Sequence, residues 1–154
     1  MINSLLTDTT TRALESALSF TEQRHEVILS DIANVSVPGY VQKDASVDAF
    51  QQSLRDAIDR QNTSPGKYVP WNPASSETVQ FIDDDGTSAV RLTPENTLQS
   101  PVFHDHGVRS MESLMSNLAD NAIAHNMVAQ MLKFKYNMTA SAIATISMAT
   151  TSRT

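Results

Sequence analysis

The chain has 154 residues, enough for one compact domain, of which 40% are hydrophobic and only 6% aromatic. A net charge of −6 argues against a nucleic-acid-binding protein, because contacts to phosphates require clustered basic residues and the 11 Lys and Arg are scattered. The absence of cysteine excludes disulfides, thiolate zinc sites and a cysteine nucleophile.

Neither a cleaved signal peptide nor a membrane-spanning helix is predicted. Residues 1–11 have no basic start and no long apolar run. The most apolar stretch, residues 140–149, is interrupted by Ser and Thr and is shorter than the ~18 residues of a membrane span. If the protein leaves the cytoplasm, we expect it to use a route that requires no cleaved signal.

A helix is predicted over residues 8–33, with an apolar stripe that recurs every three or four residues. The stripe consists of Leu14, Leu18, Thr21, His25, Ile28 and Ile32, and it is widened by Ala13, Ala17, Phe20 and Val27. The helix is predicted to end near Asn34, a residue that tolerates the left-handed conformation of a helix terminus. Pro38 and Gly39 then suit the two central positions of a type II turn.

The middle of the chain is predicted to be less regular. A second, shorter helix has Ser46 as its N-cap and carries apolar side chains at Val47, Phe50, Leu54, Ala57 and Ile58. Residues 62–107 contain five of the six prolines and lose the helical period. Within them, residues 78–82 and 88–92 each suit a short strand, so a β-hairpin is one interpretation and loop accounts for the rest.

The longest predicted helix covers residues 110–148, which contain neither Pro nor Gly. One apolar stripe consists of Leu114, Leu118, Ala122, His125, Ala129, Leu132, Tyr136, Ala140 and Ile143. A second stripe beside it consists of Ile123, Met127, Met131, Phe134, Met138 and Ala142. Two adjacent stripes indicate contact with more than one partner.

The predicted fold class is mainly α, with long N- and C-terminal helices that pair as an antiparallel coiled-coil-like bundle. The chain divides into an N-terminal helical segment (1–61), an irregular middle segment with a possible β-hairpin (62–107) and a C-terminal helix (108–154), which together form one assembly domain. Apolar surface is concentrated at the two ends. The predicted assembly seam consists of Leu14, Leu18, Ile28, Ile32, Leu118, Ala122, Ile123, Met127, Met131, Leu132 and Phe134.

No constellation of residues indicates catalysis. His104, Asp105 and His106 form a tight cluster of metal-capable side chains, but an ordinary polar turn is favoured over a zinc or iron site. Residues 83–86 fail the calcium-loop pattern, because apolar residues stand at two obligatory ligand positions. Without a Gly-x-Ser-x-Gly elbow or a Gly-rich phosphate loop, we expect no enzyme, no metal, no cofactor and no small-molecule substrate.

Two histidines lie within the apolar stripes of the terminal helices. His25 and His125 are predicted to be hydrogen-bonded core or interface residues, as histidines at such positions usually are. The alternative is that their titration makes assembly sensitive to pH.

The turn after the first helix resembles a signature of flagellar rod and hook proteins. In that signature Asn-x-Ala-Asn is followed two residues later by Thr-Pro-Gly-Tyr, and the matching residues here are Ala33, Asn34, Pro38, Gly39 and Tyr40. Asp31 replaces the usual Asn, and Val37 replaces the usual Thr. Downstream, the segment similar to that of proximal rod proteins includes Lys43, Asp44, Phe50 and Leu54.

The C-terminal helix resembles the same family. The similar residues are Leu118, Ala119, Asp120, Asn121, Asn126, Gln130, Met131 and Leu132, after a start at Gly107 and Val108. His125 stands where Tyr is common, and Ser113 and Leu114 stand where acidic residues are usual. Distal-rod and hook subunits carry an Ala-x-Arg-x-Tyr-x-x-Asn stretch that is missing here, so the resemblance favours a proximal rod protein.

The resemblance implies a structural subunit of the bacterial flagellar basal-body rod. Such a subunit leaves the cell through the flagellar type III export apparatus without a cleaved signal, and it polymerises in the periplasm, where its terminal helices form the inner layers of a hollow drive shaft. The implied partners are other rod subunits, the hook-basal body adaptor protein and the export apparatus. Two other classes stay open: an export chaperone or adaptor that binds partner helices without polymerising, and a metal-dependent enzyme built on residues 104–106.

Overall fold

The computed structural model describes residues 9–63, 71–84, 87–96 and 106–151. This part of the chain is mainly helical, as predicted, and contains two small sheets of two strands each. In chain order the elements are α1 (Thr9–Asn34), β1 (Lys43–Asp44), α2 (Val47–Thr63), β2 (Val79–Asp84), β3 (Thr87–Leu92), β4 (Glu95–Asn96) and α3 (His106–Thr151).

The helices begin and end close to their predicted bounds. The N-cap predicted for α2 is confirmed, because Ser46 Oγ accepts a hydrogen bond from the N–H of Ala49 at 3.1 Å. α3 begins before the predicted position and includes Gly107 in its first turn, where the backbone N–H groups have no partner within the helix. Near its other end, the Thr139 and Thr145 hydroxyls each donate to the carbonyl four residues earlier at 2.9 Å.

The predicted β-hairpin is confirmed and is slightly longer than expected. Strands β2 and β3 pair antiparallel, with Phe81 opposite Val90 and Asp84 opposite Thr87. Val79 and Val90 are buried on the inner face of the hairpin, where Phe81 and Leu92 also pack. This alternation between an inner apolar face and an outer face is the period-2 pattern that the sequence indicates.

A second sheet was not predicted. It joins β1 and β4 antiparallel, with Lys43 opposite Asn96 and Asp44 opposite Glu95. The segment around β4 was predicted to be loop, because a strand of two residues carries no measurable alternation. This sheet ties the segment after the turn at Pro38 to the segment after the hairpin.

The core draws on the middle of the chain as well as on its ends. Phe20 of α1 stacks on Phe50 of α2 with ring centroids 4.1 Å apart, and Phe50 stacks on Phe81 of β2 at 5.8 Å. Ala45, Val79 and Val90 complete this buried cluster. The hairpin therefore supplies part of the main core, and α1 buries a face that the sequence analysis treated only as the margin of its stripe.

Polar contacts fasten the hairpin to α1. The Ser19 hydroxyl accepts the N–H of Val90 at 3.0 Å and donates to the Val90 carbonyl at 3.3 Å. The Arg12 guanidinium pairs with the Asp83 carboxylate at 3.0 Å. The two Ser19 bonds satisfy backbone groups on the free edge of β3. One side of α1 therefore contacts the hairpin, and another side is left for α3.

Candidate assembly interface

α1 and α3 are joined by hydrogen bonds between their side chains and backbones. The buried Asn121 donates through Nδ2 to the Thr21 carbonyl oxygen at 2.9 Å. The Tyr136 hydroxyl donates to Glu15 Oε1 at 2.7 Å. The later residue of α3 thus bonds the earlier residue of α1, and the two helices run past each other in opposite sequence order; coiled-coil-like packing between them stays a prediction.

His125 belongs to the same contact. Its Nδ1 lies 3.0 Å from Thr21 Oγ1, whose hydrogen is directed to the Leu18 carbonyl at 2.8 Å. Nδ1 of His125 is therefore the donor, and this N–H exists in the neutral ring as well as in the charged one. His125 thus contacts the other terminal helix, as predicted for an interface residue, and the role of His25 stays a prediction.

A stripe of large apolar side chains on α3 is exposed to solvent. We call it the outer stripe: Ile123, Met127, Met131, Phe134 and Met138. Their exposed fractions range from 51% for Met131 to 69% for Phe134. Because they recur three or four residues apart, they lie on one side of the helix over about 22 Å, opposite the buried Leu114, Asn121 and Leu132.

The structure separates the predicted assembly seam into two groups. Ile28 and Leu132 are buried, and Leu14, Leu18, Ile32, Leu118 and Ala122 are half-buried. Ile123, Met127, Met131 and Phe134 are exposed. The two adjacent stripes of the sequence thus correspond to an inner face of α3 and an outer one.

An apolar groove runs between the first turns of α1 and the middle of α3. We call it the apolar groove. Its apolar lining consists of Leu14, Met131, Phe134 and Met138, and Thr10, Gln130 and Lys135 also line it. The groove has a volume of about 410 Å³. It is continuous with the outer stripe, because three of its four apolar residues belong to both.

The turn after α1 has the geometry that the sequence predicts. Gly39 has a φ of +77°, and the N–H of Tyr40 donates to the Val37 carbonyl at 3.1 Å, as in a type II turn. Asn34 ends the helix and donates through Nδ2 to the Ser30 carbonyl at 2.7 Å, so its side chain satisfies a terminal carbonyl group. Ala33 lies on the exposed side of the last turn.

Asp31 holds this turn against the helix. Its carboxylate is only 1% exposed and accepts the Tyr40 hydroxyl at 2.7 Å. It also accepts the N–H of Lys43, at 3.2 Å through Oδ1 and at 3.0 Å through Oδ2. The hydrogen bond to Asp31, followed by burial, raises the pKa of the Tyr40 phenol. From the sequence, Asp31 is only a departure from the usual Asn, and its role as the acceptor that organises the turn could not be predicted.

The outside of the turn is apolar. Val37 and Val41 are exposed, and so is Pro38 between them. We call these three residues the turn knob. The bonds from Asp31 and the positive φ of Gly39 define the backbone path of the turn, on which these three side chains are exposed.

The candidate metal residues are not brought together in the part of the chain that the structure describes. His104 and Asp105 lie outside the described residues, and His106 opens α3. Asp83 pairs with Arg12, and residues 85–86 also lie outside the described ranges. Among the described side chains no group of three His, Asp or Glu is placed to hold a metal ion.

No protein-family model matches the chain, and no curated protein matches it significantly. None of the described helices is long and apolar enough to cross a membrane. A functional assignment therefore depends on the sequence motifs and on the geometry of the outer stripe, the apolar groove and the turn.

Proposed function

We propose that the chain is a structural subunit of the bacterial flagellar basal-body rod, of the proximal type, and that it polymerises through α1 and α3. The observation that carries the proposal is the outer stripe. Burying a large apolar side chain contributes ~1.5–3 kcal/mol, so five of them on one face favour association with another helix. In a monomer such a face would stay exposed to water, which is unfavourable.

The division of α3 into two faces supports this role. The inner face is occupied by α1 of the same chain, through Asn121 and Leu132 among others. The outer face is available to a neighbouring subunit. In this proposal α1 and α3 form the antiparallel coiled-coil-like bundle of one subunit, and the outer stripes bring such bundles together into the wall of the shaft.

The resemblance to rod and hook proteins gives the proposal its biological context. The signature residues are used here within the subunit, where Asp31 and Tyr40 tie the end of α1 to β1. By this resemblance the protein is exported without a cleaved signal and assembled in the periplasm. Its partners are then other rod subunits, the hook-basal body adaptor protein and the export apparatus, and it requires no cofactor.

A charge on the outer stripe tests the proposal. Phe134→Asp places a carboxylate at the most exposed member of the stripe, so we expect the isolated protein to fold normally but to be lost from washed basal bodies by a factor of about ten or more, because an uncompensated charge in an apolar contact costs several kcal/mol. The readout is quantitative mass spectrometry of purified basal bodies, with helical content checked by circular dichroism.

The matched control is Asn137→Asp, which adds the same charge at an exposed site of α3 outside the stripe. It should assemble like the unmodified protein. Equal incorporation of Phe134→Asp would overturn the proposed interface. If the unmodified protein itself is missing from washed basal bodies, the chain is an export chaperone or adaptor and not a rod subunit.

A further inference from the structure

We propose that the outer stripe binds an acidic amphipathic helix of a different protein, and that Lys133 and Lys135 select this partner by charge. This inference rests on the proposed function, because it names the kind of partner that covers the stripe in the assembly. The distribution of charge along the chain, the positions of the two lysines around Phe134 and the apolar surfaces of a second copy all point to such a partner.

Charge is distributed unevenly along the chain. Asp120 is the last acidic residue of the sequence, so all 17 Asp and Glu lie at or before this position. Residues 121–154 contain three basic side chains, Lys133, Lys135 and Arg153, and no carboxylate side chain. This segment, which includes the outer stripe, thus has a side-chain charge of +3 in a chain whose net charge is −6. An anionic partner is attracted to this half of α3, whereas the rest of the chain repels it.

The two lysines lie on either side of Phe134, the most exposed residue of the outer stripe. Successive residues of an α-helix are rotated by about 100°, so Lys133 and Lys135 are each one such step from Phe134 in opposite directions. Lys133 is exposed, and Lys135 lines the apolar groove beside Met131. A helix that lies along the stripe therefore meets a cationic side chain on each side of Phe134, where acidic flanking residues are favoured.

The dimensions and side chains of the outer stripe suit a helix as the partner. The stripe is about 22 Å long, so a partner helix of about 15 residues spans it. Three of its five residues are methionines, whose flexible side chains adapt to the apolar face of another helix. An anionic membrane is a weaker match, because recognition of anionic lipids depends on clusters of about four to eight basic residues and only two lysines flank this stripe.

A second copy of the chain offers no matching surface within the segments that the structure describes. Outside α3, the exposed large apolar residues of these segments are Leu29, Val37 and Val41, and they do not form a row on one helix. The other candidate is α3 itself. When two outer stripes overlap along their full length, each lysine faces another lysine or a neutral residue, because no carboxylate follows Asp120. Pairing between copies is therefore unfavourable in charge, and the partner is a different protein.

A pair of synthetic peptides tests the choice of partner. Both are amphipathic helices of about 18 residues with the same leucine face, and their flanking positions carry Glu in one peptide and Lys in the other. Binding to the unmodified protein is measured by fluorescence anisotropy at low salt. We expect the Glu-flanked peptide to bind at least about tenfold more tightly, and we expect this ratio to fall toward one in about 0.5 M NaCl, where surface charges are screened.

Reversal of the two lysines tests their role. Lys133→Glu/Lys135→Glu should invert the preference between the two peptides, because carboxylates then flank the same stripe. The matched control, Arg55→Glu/Arg60→Glu, makes the same change of charge at exposed sites of α2 and should leave the preference unaltered. If the double lysine variant loses helical content by circular dichroism, the exposed single variant Lys133→Glu replaces it and should lower the ratio at least about threefold.

Other occupants of the outer stripe give different results, and each of these results overturns the proposal. Equal affinities for the two peptides would show that the lysines do not select the partner. Tighter binding to vesicles of equal parts phosphatidylcholine and phosphatidylserine than to the Glu-flanked peptide would identify a lipid surface. A dimer of the unmodified protein in analytical ultracentrifugation that Phe134→Asp abolishes would identify a second copy. A rapid disulfide within a Leu5→Cys/Met131→Cys chain would identify the chain's own N-terminal residues.

Incorporation into basal bodies separates this inference from the proposed function. We expect Lys133→Glu/Lys135→Glu to be depleted at least about fivefold from washed basal bodies and the Arg55→Glu/Arg60→Glu control to be retained. If the lysine variant is incorporated as well as this control while Phe134→Asp is lost, the acidic partner is wrong and the rod function stands. If Phe134→Asp is also incorporated, the proposed function is wrong as well.

Discussion

At the scale of single residues, Asp31 shows how a buried charge organises a turn. Its carboxylate accepts hydrogen bonds from the Tyr40 hydroxyl and from the backbone N–H of Lys43, and neither donor is a basic side chain. Both oxygens are used. A carboxylate provides two acceptor atoms where an amide provides one, so Asp31 can accept both donors at the position where the rod and hook signature has Asn.

Replacement of Asp31 should therefore destabilise the fold in a graded way. Asp31→Ala leaves two part-buried donors without their acceptor, and we expect a loss of about 2 kcal/mol in the free energy of unfolding. Asp31→Asn keeps one acceptor oxygen and should lose about 1 kcal/mol. Urea denaturation measures both values. An Asp31→Ala protein within about 0.5 kcal/mol of the unmodified chain would contradict this role for Asp31.

Tyr136 gives the contact between α1 and α3 a dependence on alkaline pH. The hydrogen bond to Glu15, with burial as a second cause, raises its pKa from 10.0 to about 12. Because the pKa is higher in the folded state, this contribution to stability is fully present below pH 10 and is lost as the pH rises through about 12. The side chain is partly exposed, so the effect is screened by solvent.

The difference in tyrosinate absorbance between the unmodified protein and Tyr136→Phe isolates this titration. We expect its midpoint near pH 12, well above that of a free tyrosine at 10.0. Glu15→Gln serves as the control, since it removes the carboxylate and should shift the midpoint back toward the free value. A midpoint near 10 in the unmodified protein would show that the Glu15 contact is not formed in solution.

At the scale of elements, the long helices were the most predictable part of the chain. Their 3.6-residue period extends over many turns, and breakers such as Pro38 mark where α1 must stop. The hairpin was also predictable, because its two strands alternate and flank an Asp-Gly turn. The sheet formed by β1 and β4 was not, because its pairing depends on the tertiary contacts that bring two very short segments together.

Periodicity identifies an apolar face but not its partner. On α1 it favoured the face of Leu14 and Leu18, which are half-buried beside α3, over Phe20, which lies in the core. On α3 both stripes are apolar, and only the structure distinguishes the face that α1 covers from the one it leaves exposed. The hydrogen bonds made by Asp31 and Thr21 could not be predicted from the sequence either. Their partners are brought close by the tertiary structure and not by a regular spacing along the chain.

The two faces of α3 should respond differently to truncation. Leu132→Ala removes a buried side chain and should lower the free energy of unfolding by about 2 kcal/mol or more. Met127→Ala removes an exposed one and should change it by less than about 0.5 kcal/mol. Thermal or urea unfolding of the isolated protein compares the two. A larger effect for Met127→Ala would show that the outer stripe is covered within the monomer.

At the scale of the whole molecule, the subunit combines a small folded body with an exposed binding face. The stacked Phe20, Phe50 and Phe81 and the hairpin give the body a core of its own. α1 packs against the hairpin and hydrogen-bonds to α3, and among the described residues the outer stripe is a continuous row of exposed large apolar side chains on α3.

Oxidation of methionine tests the central claim most directly, because three of the outer-stripe residues are exposed methionines and oxidation follows exposure. Peroxide labelling followed by mass spectrometry compares the free protein with the same protein in purified basal bodies. We predict that Met127, Met131 and Met138 react at least about tenfold more slowly after assembly, since neighbouring helices cover them. Equal rates in the two states would show that the outer stripe stays open to solvent and would contradict assembly through this face of α3.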